Sequence, residues 1–182
     1  MSSIFFTADT HFGHAKSLSF LKPDGELLRP FSSCEEMDET MVENWNRVVG
    51  KHDTIYHLGD VVIPRPSLKI LDRLNGRKIL IRGNHDQGAL KDFYQYFEDV
   101  RGAFFFKPGS HFLGGLVLTH IPVHPDCLSG HYRGNVHGHL HCHQVMINGE
   151  VDRRYFNACV ERNDFTPVAL DTVLDYFSVK KP

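Results

Sequence analysis

Lys78-Ile79-Leu80-Ile81-Arg82-Gly83-Asn84-His85-Asp86 decides the fold. A short apolar run that ends at glycine and opens into ligand-type side chains reads as a buried strand feeding a functional loop. The same arrangement occurs twice upstream. Ile4 to Ala8 is a buried strand followed by Asp9-Thr10-His11, and Thr54 to Leu58 is a short strand ending at Gly59-Asp60. Helical patterns fill the intervals. Ser33-Cys34-Glu35-Glu36 has the capping-box spacing, Met37, Met41, Trp45 and Val48 follow at helical intervals, and Gly50 stops the run. Ser67 to Leu74, closed by Asn75-Gly76, and Ala89 to Phe97 read as two more helices.

Beyond residue 100 the chain becomes strand-rich. Val100 to Phe106, Leu116 to His120, Asn135 to His137 and His143 to Ile147 read as strands. Asn148-Gly149 suits a two-residue hairpin turn, Arg154 to Val160 a returning strand, and Ala169 to Phe177 a short amphipathic helix. Strand–helix alternation followed by strands predicts a layered α/β sandwich, with two sheets inside and helices outside. No repeat or linker divides residues 1–182, so a single domain is expected.

Composition narrows the function. Lys plus Arg is 20 and Asp plus Glu is 22, a net charge of −2, which argues against a generally basic nucleic-acid coat. Apolar runs fall well short of the ~20 residues of a membrane span, and the opening Met1-Ser2-Ser3-Ile4-Phe5-Phe6 lacks a basic leader, so a cytoplasmic location is expected. There are 13 His against four Cys, and eight of the His lie between His111 and His143. Cys34, Cys127, Cys142 and Cys159 form no C-x-x-C pair and read as small buried or half-buried hydrophobes in a reducing compartment. Histidine is the commonest metal ligand and the usual acid or base near neutral pH, but a His-rich surface would raise the count equally, so the count alone decides nothing.

Asp9 with His11, and His139 with His141, stand two apart, so on an extended backbone each pair reaches one ion. His120 closes the run Leu116 to Thr119 and gives another strand end with a ligand on it. Singly, D-x-H reads as a solvated loop, Gly-Asp as a turn, and Gly-Asn-His-Asp as an Asx turn. The ordered set is what carries the signal.

That set resembles the signature of the calcineurin-like metallophosphoesterase superfamily. The closer likeness is to its small bacterial and phage phosphoesterases. It rests on Asp9-Thr10-His11-Phe12-Gly13-His14, Arg29-Pro30-Phe31, Asn44-Trp45-Asn46, Tyr56 to Asp60, Ile79 to Asp86 and Val136 to His141, and it covers essentially the full chain. The resemblance implies a four-layer α/β/β/α sandwich with two mixed sheets, no large cap domain, and a centre of two divalent metal ions. By position Asp9, His11 and His141 hold the first ion, Asn84, His120 and His139 the second, and Asp60 bridges them. Such ligands suit Mn first, with Fe, Zn, Ni or Co as alternatives. The implied reaction is attack on a phosphate ester by a metal-bridging hydroxide, with His85 as general acid and no covalent phosphoenzyme.

One departure matters. In Gly59-Asp60-Val61-Val62-Ile63, Ile63 stands where the protein-phosphatase branch carries a second Asp. A phosphodiesterase is therefore preferred. A phosphomonoesterase or nucleotide pyrophosphohydrolase is the alternative, and a non-catalytic metal-binding protein of the same fold is the third reading. The expected partner is a small phosphorylated substrate, such as a nucleotide or nucleic-acid end, with neither stable nucleic-acid binding nor a membrane. His14, Arg29, Arg82, His124 and Arg133 are candidates to touch substrate. Asp86 is a candidate to orient His85, and Ala15 to Arg29 a candidate rim or lid.

Overall fold

The structure is a computed structural model and describes residues 2–109, 114–128 and 130–178. In chain order it has β1 (Ile4–Thr7), α1 (Cys34–Val48), β2 (Thr54–His57), β3 (Arg77–Ile81), α2 (Leu90–Phe93), β4 (Asp99–Arg101), β5 (Ala103–Phe106) and β6 (Gly115–Thr119). There follow β7 (Tyr132–His137), β8 (Met146–Ile147), β9 (Glu150–Val151), β10 (Tyr155–Asn157), β11 (Val168–Ala169) and α3 (Leu170–Ser178).

One sheet has the order β11-β1-β2-β3-β4, with β1 to β4 parallel and β11 antiparallel to β1. The other has the order β10-β7-β6-β5, with β5 antiparallel to β6 and the rest parallel. The period-two alternation of strand side chains builds two cores from the first sheet. Phe5, Ile55 and Leu80 face outward onto Met37, Met41 and Trp45 of α1 and onto Leu71. Their neighbours Phe6, Tyr56 and Ile81 face inward and meet Phe106, Leu116, Leu118 and Val136 of the second sheet. Val117 points the other way, onto Leu128 and Tyr155, where the short 3-10 turn Pro125–Leu128 covers the second sheet's outer face. The expected class, an α/β sandwich of two mixed sheets with helices, is the observed one.

Helix α1 starts where the capping spacing places it: the Ser33 hydroxyl accepts the Glu36 N–H at 3.0 Å, and the Glu36 carboxylate accepts the Ser32 N–H at 2.7 Å. Several elements differ from expectation. The run 100–106 is two strands in different sheets, because the chain leaves the first sheet at Gly102 and enters the second. Residues 65–73 form a 3-10 helix with Pro66 in its first turn, and the helix expected at 89–97 is regular only over Leu90–Phe93. β10 pairs in parallel with β7 and not with the strand expected at 143–147, and the hairpin at Asn148-Gly149 is held by two-residue strands. Cys159 is buried and Cys34 and Cys142 half-buried, as expected of small hydrophobes, but Cys127 is exposed on its turn.

Candidate metal centre

The ligand-type residues sit at the carboxyl ends of parallel strands from both sheets, where α/β folds place their sites. Asp9 and His11 follow β1, Asp60 follows β2, Asn84 and His85 follow β3, His120 follows β6, and His139 and His141 follow β7. Backbone bonds lock these loops together. The Asp9 N–H donates to Gly59 O at 2.9 Å, the His11 N–H to Asp60 O at 3.1 Å, and the Gly138 N–H to His120 O at 2.9 Å. A bridge between Ala8 and Cys159 joins the ends of the two sheets.

The backbone at the ligands is unusual. Asp9, His11, Asp60, His139 and His141 have φ of 58°, 46°, 59°, 69° and 48°. The left-handed region costs non-glycine residues about 1–2 kcal/mol each, and such conformers gather at functional sites. Asp9 and His11 therefore share one group from left-handed rather than extended backbone, whereas His139 and His141, also left-handed, go to different groups, which corrects the expectation that they reach one ion.

Two groups result: Asp9, His11 and His141; and Asp60, His120 and His139, with one ligand atom from each residue within 4.8 Å of the others in its group. Asp9 Oδ1 lies 3.8 Å from His11 Nε2 and 3.8 Å from His141 Nε2. Asp60 Oδ2 lies 3.7 Å from His11 Nε2 and 3.4 Å from His120 Nε2, so it reaches both groups. Asn84 Oδ1 is 2.9 Å from His120 Nε2 and joins the second group. Atoms bound at ~2.1 Å to one ion stand ~3–3.5 Å apart, close to these separations. The donor set also asks for a cation. Asp9 Oδ1 is buried without a hydrogen-bond partner, a costly state for a carboxylate oxygen. The residues fit two divalent ions.

Electrostatics agrees. Burial pushes the Asp9 carboxyl up to about 6, against the pull of His141, His120 and the His139 N–H. Burial pushes Asp60 up too, but the hydrogen bond and charge of His120, with help from the His85 N–H and His11, bring it down to about 2. Burial lowers His11 to about 3, the neutral form that a metal requires.

A second layer aims the ligands. The His120 Nδ1–H donates to Leu58 O at 2.8 Å, leaving Nε2 for the site. His141 Nδ1–H donates to Glu161 Oε1 at 3.0 Å, again leaving Nε2 free. Asp9 Oδ2 accepts the His139 N–H at 2.8 Å and the Cys159 thiol at 3.2 Å, so its other oxygen faces the imidazoles. Close approach of the loops requires glycine, as two positions illustrate. A Cβ on Gly83 would lie 2.2 Å from Asp60 Oδ1, and one on Gly138 would lie 2.5 Å from Asp9 Oδ2.

Glu161 is the residue that sequence reasoning missed. It lies in a 3-10 turn after β10, its side chain 2% exposed, and it belongs to no motif spacing. The available signal was an acidic residue closing the apolar run Ala158-Cys159-Val160. Its Oε1 also accepts Arg29 Nε at 2.9 Å and Nη2 at 2.6 Å. Arg29 then donates to Asp9 O at 2.5 Å and Thr10 O at 2.8 Å. Arg29 is 0% exposed, so the expectation that it binds substrate is corrected: its donors are spent holding the Asp9 loop.

The other candidates divide. His14 stands beside the centre, its ring 5.6 Å from that of His11 and 5.8 Å from Phe20 of the Ala15 to Arg29 segment. Arg82 donates to Asp86 O and packs over Phe93, which makes it a clamp of its own loop rather than a substrate contact. His124 is exposed and turned to Asp126 in its own turn, with Nδ1 accepting the Asp126 N–H at 3.3 Å. Arg133 is the second residue of β7, near the far end of the strand that delivers His139, about 20 Å of extended chain away. Neither His124 nor Arg133 is brought to the ligands. Asp86 accepts the backbone N–H groups of Asp60, Val61 and Gly83 at 2.8, 2.9 and 2.8 Å, so it shapes the loops and does not orient the His85 ring. The His85 N–H donates to Asp60 Oδ1 at 2.8 Å, and its exposed ring stands edge-on to His11 at 5.4 Å.

Two facing mixed sheets whose strand ends present interlocked imidazole, carboxylate and amide groups define a phosphoesterase-type metal centre. The family model for calcineurin-like phosphoesterases matches residues 2–172, and the chain belongs to that family. It is 33% identical to the uncharacterized protein MJ1445 of Methanocaldococcus jannaschii, over 96% of this chain and 90% of that one. It is 26% identical to the gene 66 protein of Mycobacterium phage L5, over 88% of this chain and 87% of that one. A crystal structure of the protein of unknown function AQ665 from Aquifex aeolicus shares the fold, with a TM-score of 0.69 at 24% identity, over 95% of this chain and 98% of that one.

Proposed function

We propose that the protein is a metal-dependent phosphodiesterase acting on a small phosphorylated substrate, such as a nucleotide or nucleic-acid end, with Mn as the ion of first choice. The observation that carries the reading is the position of Asp60. One carboxylate oxygen reaches an imidazole of each group, His11 and His120, as a two-ion site requires. When bound, two divalent ions supply charge stabilisation at phosphorus and make a water acidic.

The chain's own residues do the rest. As ligands the imidazoles of His11, His120, His139 and His141 and the amide of Asn84 would add no negative charge, so Asp9 and Asp60 would be the only anionic ligands to the ions and an anionic ester would be favoured. His85 is held by its backbone N–H on Asp60 while its ring stays exposed at the edge of the site. There it holds a proton for the departing ester oxygen. The preference for a diester has its own support. Arg29 spends its donors inside the protein, Arg82 is turned onto its own loop, and Arg133 lies near the far strand end, which favours an ester without the extra charge of a terminal phosphate.

The test is hydrolysis of bis-p-nitrophenyl phosphate against p-nitrophenyl phosphate with Mn²⁺ and with chelator. Faster turnover of the diester, abolished by chelator, is expected. Preference for the monoester would overturn the diester reading.

A further inference from the structure

We propose that the cavity beside His85 receives the leaving group of the ester and selects a flat, ring-bearing alcohol, aryl or nucleoside in size. This rests on the phosphodiesterase reading above and deepens it.

Position carries the first part. The His85 ring has the metal-ligand imidazole of His11 at 5.4 Å and also lines a cavity of about 300 Å³. A proton donor must lie within hydrogen-bond reach of the oxygen it serves. The carbon skeleton of the leaving group therefore starts at His85 and extends away from the ions. Both walls are continuous with the ligand loops: Val62 and Ile63 follow Asp60, and Asp86 and Gln87 follow Asn84 and His85. The cavity is thus fixed in place relative to the ligands.

Chemistry carries the second part. Val62, Leu68 and Phe93, at 7%, 6% and 2% exposure, give an apolar floor, with Ile63 and Pro64 on the wall. The carboxylate of Asp86 also borders the space, but both its oxygens accept backbone N–H groups. Polar groups stand at the mouth, where the Arg65 guanidinium pairs with Asp92 and Gln87 Nε2 donates to Asn84 O at 3.2 Å. An apolar floor with a polar rim suits a ring with a few polar substituents. The volume is at the lower end of the roughly 300–1,000 Å³ of ligand pockets, which fits an aryl group or one nucleoside.

The test uses the Mn-loaded full chain and the variant Ile63→Trp, which fills the cavity from its wall. With bis-p-nitrophenyl phosphate, KM is expected to rise about ten-fold, the scale of discrimination in an apolar pocket. kcat stays within about three-fold and Mn content is unchanged. Unchanged KM, or a fall in kcat alone, would overturn the inference. Gln87→Trp, at the exposed mouth, serves if Ile63→Trp fails to fold. A second measurement needs no turnover: saturation-transfer NMR with free p-nitrophenol and free uridine. Ring-proton saturation of p-nitrophenol alone supports an aryl site, and of uridine as well a nucleoside site; in either case the filled variant abolishes it. No saturation of either probe overturns the inference. If the wild type hydrolyses no diester yet saturates a probe through this cavity, the phosphodiesterase reading fails and the ring site stands. If it hydrolyses the diester with KM untouched by the variants, the reverse holds.

Discussion

Glu161 Oε1 stands 3.0 Å from His141 Nδ1 and 2.6 Å from Arg29 Nη2, so one buried carboxylate aims a ligand imidazole and anchors the arginine that grips the Asp9 loop. Burial raises the Glu161 carboxyl, but His141 and Arg29 outweigh it and bring it down to about 2. The two ion groups are therefore unequal: His141 is backed by a charge, whereas His120 is backed by a backbone carbonyl.

Glu161→Gln is expected to weaken the first ion by about 10- to 100-fold, the usual effect of losing such an outer carboxylate. Calorimetric titration with Mn²⁺ should show one of two binding phases move and the other stay. The change also strands the charge of Arg29, so unfolding free energy falls by about 3–5 kcal/mol. Adding Arg29→Met recovers part of that stability without recovering ion affinity. Equal weakening of both phases would contradict the asymmetry.

Gly138→Ala drives a Cβ to within 2.5 Å of Asp9 Oδ2 and 2.8 Å of the Ala8 Cβ. Overpacking of this kind costs about 1–3 kcal/mol. The expected result is a lower melting temperature and a first-ion affinity reduced more than the second. An unchanged melt with both affinities intact would show that the loops have room the geometry denies.

Acid should destabilise the chelator-treated protein through its buried imidazoles, and two of them, His57 and His137, lie outside the ligand set. The Nε2–H of His57 donates to Thr10 Oγ1 at 2.9 Å, because the Thr10 hydroxyl is committed to Val61 O at 2.8 Å. Its Nδ1 is then buried without a partner, and burial lowers the group from 6.5 to about 3. Burial likewise lowers His137 from 6.5 to about 4. Both take up protons more readily unfolded than folded. Their contribution is whole above pH 6.5 and is lost as pH falls, down to about 4 for His137 and about 3 for His57. Each contributes a slope of about 1.4 kcal/mol per pH unit within its window. Thermal melts across this range should show the decline, and His57→Leu should remove about one imidazole's share of it. A variant with the full wild-type slope would contradict this assignment.

Much of this was legible in the sequence, for a physical reason. Strands in the middle of a covered sheet need apolar side chains, so the runs Ile4 to Phe6 and Ile79 to Ile81 declare themselves, and the polar residues beyond their ends stand out. Asp9, Asp60, Asn84 and His120 are visible that way. Glu161 was not, and Arg29 was seen but assigned to substrate, because their partnership spans 132 positions and only the folded chain joins them. The crossing at Gly102 was hidden for a similar reason. Asp99 to Phe106 keeps strand character throughout, and nothing local says that its halves pair with β3 and with β6.

Asp60 is placed to serve two ions at once. The direct measurement is metal content after Mn²⁺ loading and gel filtration, paired with turnover of bis-p-nitrophenyl phosphate, for the wild type and Asp60→Asn. The wild type should retain about two equivalents per chain and Asp60→Asn about one or fewer, with turnover down by at least about 10²-fold, the loss of one strong charge-stabilising group. Two retained equivalents with wild-type turnover in Asp60→Asn would contradict it.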